Sequence, residues 1–138
     1  MLREEFFRRE LVQELRRVEN LIRQESSIEK KIYYFSAAHG ITNRTLRYSF
    51  SRDVLLADFV LQQIYNVLTD RSNRVKSGDQ RIPFEDIHFE KICDGLKLLA
   101  DRFETGGNVQ EPIEIIITSG FSITGPGYYL RVKGDLKL

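Results

Sequence analysis

From Ser51 to Thr69 apolar residues fall on nearly every side of a helical wheel, and no other stretch constrains the fold as much. Ser51 stands where an N-cap belongs, and Asp53 places a negative charge in the first turn. Val54, Leu55, Ala57, Leu61, Ile64 and Leu68 make one face, while Leu56, Phe59, Val60 and Val67 cover much of the rest. A helix apolar almost all round is normally wrapped by other elements. Ser51–Thr69 is therefore expected to be the buried central helix. Its polar exceptions, Asp58, Gln62 and Asn66, recur every four residues and are taken as its wet edge, because buried carboxylates are rare unless paired.

Residues 2–25 predict a long amphipathic helix. Phe7, Leu11, Leu15, Val18 and Ile22 step by 4, 4, 3 and 4, which keeps them on one face of a helix otherwise made of Arg and Glu. At 1.5 Å per residue the helix would be roughly 36 Å long. Its seam needs a partner, either the body of the same chain or the same helix of a second copy. The second copy is preferred, which makes Phe7, Leu11, Leu15, Val18 and Ile22 the expected self-association residues.

Ser26 and Glu29 fit a capping box, opening a second helix over residues 27–39 that His39, Gly40 and Ile41 should stop. Residues 42–50 are expected to be irregular or extended. Residues 70–83 are polar and predict a loop turning at Ser77, Gly78 and Asp79. Pro83 to Phe103 predicts a helix whose Phe89, Ile92, Leu96, Leu99 and Phe103 again step by 3, 4, 3 and 4. Cys93 lies on the flank of that face as a small buried hydrophobe. Thr105 to Asn108 ends the helix. Pro112–Thr118 is rich in isoleucine and predicts a strand. With Phe121–Thr124, Tyr128–Lys133 and Leu136–Leu138 it makes an expected β-meander over residues 112–138. The expected fold class is α+β in a single domain: three or four helices around a buried central helix, followed by a small C-terminal antiparallel β-meander.

Function is less legible. Net charge is +1, which gives no global pull toward nucleic acid or anionic membrane. No apolar run approaches the roughly 18 residues that span a bilayer, so a cytoplasmic chain without membrane contact is expected. One cysteine excludes an intramolecular disulfide. The glycines between Gly120 and Gly127 follow a predicted strand but open no helix, so they do not read as a dinucleotide loop. Glu85, Asp86, His88 and Glu90 do not share a helix face, so no metal or cofactor is expected. The leading expectation is a non-catalytic, self-associating interaction module, with a dimer favoured. The first alternative is a weak nucleic-acid binder using Arg71, Arg74, Lys76 and Arg81 with an Arg131 and Lys133 edge. The second is an enzyme whose site draws on His39, Asp58, Gln62 and His88.

Overall fold

The seam from Phe7 to Ile22 does form one face of a helix, but its partners belong to the same chain. The computed structural model describes residues 3–78 and 86–124. They form five helices: α1 (Arg3–Gln24), α2 (Ile28–Tyr48), α3 (Arg52–Lys76), α4 (Asp86–Thr105) and α5 (Gln110–Phe121). Their principal contacts close a circuit in the order α1, α2, α3, α5, α4 and back to α1. Leu11, Leu15, Val18 and Ile22 are buried, on a helix that packs between α2 and α4.

The expected β-meander is corrected. Among the described residues there is no strand, and Pro112–Thr118 lies inside α5. Ile113, Ile116, Gly120 and Ile123 are buried at steps of 3, 4 and 3, a helical period hidden by β-branched composition. Pro112 falls in the first turn, where a missing N–H costs no intrahelical bond. Glycines seat this helix on both sides. A Cβ on Gly95 of α4 would come within 2.6 Å of Ile116 Cγ1, and one on Gly120 within 2.6 Å of Ile64 Cδ1 of α3. Burial against two helices at such close approach outweighs a strand propensity that spans about 1 kcal/mol. The other expected strand residues, from Gly125 onward, lie outside the described residues.

The second helix also exceeds its expected bounds. It starts one residue later, with Ser27 Oγ accepting from Lys30 N, because the Glu25 carboxylate takes the Ser26 and Ser27 amides. It then runs through Gly40 to Tyr48. Phe35, Ala38, Thr42 and Thr45 continue one buried face. The Thr42 and Thr45 hydroxyls bond back to carbonyls of the preceding turn, so their burial leaves no polar group stranded. That outweighs the ~1 kcal/mol that a mid-helix glycine costs.

Ser51 caps α3 as expected, accepting from Val54 N at 3.5 Å. The helix continues to Lys76 because Leu68 and Arg71 are buried, so the polar loop expected from residue 70 begins later. It is not a central helix. It packs on α2 and α5, and the side facing neither carries exposed Leu55, Leu56 and Phe59. The helix at 83–103 appears as α4 with Phe89, Ile92, Cys93, Leu96, Leu99 and Phe103 buried, and Gly106 at φ +73° follows its end.

Candidate interaction face

The corner between α2 and α3 is built by two adjoining caps. Ser49 closes α2, its N–H donating to Thr45 O at 2.7 Å, and Ser51 opens α3. Both have extended φ values of −152° and −149°, which strings Phe50 between the helices. Phe50 and Leu55 take the N′ and N4 positions that a hydrophobic staple uses at a helix entrance. Phe50 is nevertheless 69% exposed and Leu55 47%, and on the next turn Leu56 is 46% and Phe59 59% exposed. Four large apolar side chains within ten residues of sequence are more than isolated surface hydrophobes. Phe7 packs on the last turn of α2, its ring stacked 4.7 Å from that of Tyr48, with the Arg3 guanidinium 5.1 Å from the Tyr48 centroid.

Behind this face the polar stripe of α3 divides. Gln62 and Asn66 are exposed, but Asp58 is buried. Its Oδ1 lies 2.8 Å from Thr42 Oγ1, whose one proton is shared between this carboxylate and the His39 carbonyl, and 3.4 Å from His39 Nε2. His39 is thus part of the α2–α3 contact rather than a helix stop. His88 does not join it. His88 Nδ1 lies 3.0 Å from Ser122 Oγ, which also bonds Ser119 O at 2.7 Å. Ser122 has one proton, and the Ser119 carbonyl can only accept, so the hydroxyl donates there and accepts from the imidazole. This serine is tied down rather than activated.

Cys93 is buried at the α1–α4 contact, its Sγ 3.8 Å from Glu19 O. Burial, foremost, pushes its thiol up to about 11. Among the described residues no group of three or more His, Cys, Asp or Glu is placed to hold a metal. None of the helices among them is long and apolar enough to cross a membrane.

The basic residues expected as an anion surface are largely engaged. Arg71 is buried, Arg74 bonds Asp70 at 2.9 Å, and Lys76 lies 3.0 Å from Glu29 of α2. Arg81, Arg131 and Lys133 lie outside the described residues. On α1, Arg16 bonds both Asp101 and Glu104 of α4 at 3.0 Å, Arg23 bonds Glu19 and Asp94, and Arg44 of α2 bonds Glu14. The Arg16 hydrogen bond holds the Glu104 carboxyl below its ordinary value, and Glu104 in turn raises the Arg16 guanidinium.

Of the expected self-association residues, Leu11, Leu15, Val18 and Ile22 are enclosed by the chain itself and Phe7 is half-buried. The sequence reading missed Phe50, Leu55, Leu56 and Phe59 as a surface. For the three on α3 the signal is the surplus of apolar residues beyond one stripe, which a helical wheel shows equally for full burial. Comparison with family models, with curated proteins and with solved structures found no match to this chain.

Proposed function

We propose that this chain is a non-catalytic interaction module that self-associates through the Phe50, Leu55, Leu56 and Phe59 face. The observation that carries this reading is the exposure of four large apolar side chains on one corner. Exposed apolar clusters of that kind mark contact surfaces, because covering them removes apolar area from water at roughly 25 cal/mol per Å². Polar groups that an enzyme site would draw on are engaged within the fold, which favours binding over catalysis. Asp58 is held by Thr42 and His39, and Ser122 by Ser119 and His88. The nucleic-acid alternative has less support, since Arg74 and Lys76 are paired with carboxylates and Arg71 is buried.

Light scattering on the full chain and on Phe59→Glu tests the reading. The full chain should exceed the 16.2 kDa of one copy, and the variant should fall to that mass with an unchanged helical spectrum. A full chain that stays monomeric at high concentration rejects self-association. A variant that keeps the larger mass moves the contact elsewhere.

A further inference from the structure

At the end of the bundle where α1 begins, α2 turns into α3 and α4 stops, a cavity of about 220 Å³ opens between elements distant in sequence. Its origin is the packing. Both α1 and α3 lie on α2, but they are not principal neighbours of each other in the circuit. A gap therefore remains between them where α2 ends. Buried Leu11 of α1, Val54 of α3 and Phe103 of α4 give the cavity apolar lining. Arg8 lines it from α1 and Asp53 lines it from α3.

Arginines that reach from one helix to another are matched nearby. Arg16 pairs with Asp101 and Glu104, Arg44 with Glu14, and Arg102, which also borders the cavity, with Glu111. Arg8 and Asp53 border the same cavity, yet neither makes a hydrogen bond or an ion pair in the described structure. Glu4 stands four residues before Arg8, the favourable order for a pair along a helix, and that pair is not made either. Two hydroxyls on the lining have capacity to spare. That of Ser49 makes no bond among the described residues, and that of Ser51 only accepts from Val54 N, so its proton is available.

We infer that this cavity binds a free α-amino acid with an aliphatic side chain. A simple anion would meet the Asp53 carboxylate, and a simple cation would meet the Arg8 guanidinium. A molecule carrying both signs meets each with its opposite. The planar guanidinium fork suits the carboxylate, and Asp53 accepts from the ammonium. Ser49 and Ser51 add two donors, while the side chain lies against Leu11, Val54 and Phe103. The volume falls below the ~300 Å³ at which pockets for drug-sized ligands begin, which suits one amino acid and is too small for a peptide.

The test is calorimetric titration of the full chain with L-leucine, L-isoleucine, L-valine and L-methionine. Isocaproate and isoamylamine serve as leucine analogues that each lack one charge. At least one of the amino acids should bind saturably, and each analogue should bind at least about tenfold more weakly, because hydrogen bonds between charged groups are the strong ones. Arg8→Gln and Asp53→Asn should each weaken the amino acid by a similar factor. Neither should much change the thermal midpoint of the free chain, since both side chains are exposed and unpaired. In amide NMR spectra the Thr45, Ser49, Gly106 and Gly107 signals should shift on titration. Isocaproate binding as tightly as the amino acid makes this an anion site and overturns the assignment, and isoamylamine doing so overturns it in favour of a cation site. Affinity that both variants retain, or shifts confined to other amides, places the ligand elsewhere. No saturable binding by any of the amino acids at millimolar concentration removes the site.

Discussion

Three small residues divide space very differently in this chain. Gly40 lies in α2 with nothing within 4 Å of the position its Cβ would take. Gly40→Ala should therefore raise stability by about 0.5–1 kcal/mol, the helix-propensity gain, read as a higher denaturation midpoint. A Cβ on Gly95 would come within 2.6 Å of Ile116 Cγ1, 3.2 Å of Ile115 Cγ2 and 3.3 Å of the Pro112 carbonyl oxygen. Gly95→Ala should lower the midpoint, because overpacking costs about 1–3 kcal/mol and outweighs the same propensity gain. Cys93 is the third. With its thiol held up to about 11 by burial, it should resist a thiol reagent at pH 8 in the native chain and react at once in denaturant. Fast labelling of the native chain would mean that the α1–α4 contact opens readily.

At the scale of the helices, the contacts of α1 separate two uses of an amphipathic seam. Because Leu11, Leu15, Val18 and Ile22 are buried in the chain's own core, a chain beginning at Ser26 should lose cooperative unfolding rather than merely change mass. Circular dichroism during a thermal scan reads this directly; a folded truncated chain would place α1 outside the core. The Arg16 clamp to α4 carries a pH signature. A carboxyl whose folded value is lowered adds stability above its unfolded value, and loses it as pH falls through the folded one. Wild type should thus exceed Arg16→Ala in stability at neutral pH, and the gap should close below about pH 4. An unchanged gap at pH 3 would assign it to packing instead. The same helices show what the sequence discloses. In α1 and α4 the 3- and 4-residue steps coincide with the buried faces, so periodicity alone finds them. In α5 the isoleucines carry a strand propensity that only Gly95 and Ile64, distant in sequence, overrule. In α2 the hydroxyls of Thr42 and Thr45 look like a polar break until their carbonyl partners in the previous turn are seen.

For the whole molecule, the difference between expectation and structure lies in counting neighbours. A helix in a closed circuit touches two others, so it buries one broad side whatever its composition. The apolar excess of α3 is then left facing out at Leu55, Leu56 and Phe59, and a wheel diagram alone does not distinguish that from a central helix. The candidate face was therefore legible as residues but not as a surface. Its association should depend little on ionic strength, since apolar burial is not screened, whereas a nucleic-acid contact would weaken steeply with salt. Measuring the dimer dissociation constant between low and high salt separates the two, and a steep loss would argue against the apolar face.

The closed circuit also sets a timetable for the chain's birth. The α1 helix meets α2 soon after leaving the ribosome, but its other neighbour, α4, ends only at Thr105. At about 5–20 residues per second, the N-terminal segment waits roughly 4–16 s for it. Throughout that interval one flank of Leu11, Leu15 and Val18 has no mate. A helix that ends up packed on two sides is thus the one that spends longest half-clothed during synthesis, and it is there that a chaperone would find its grip.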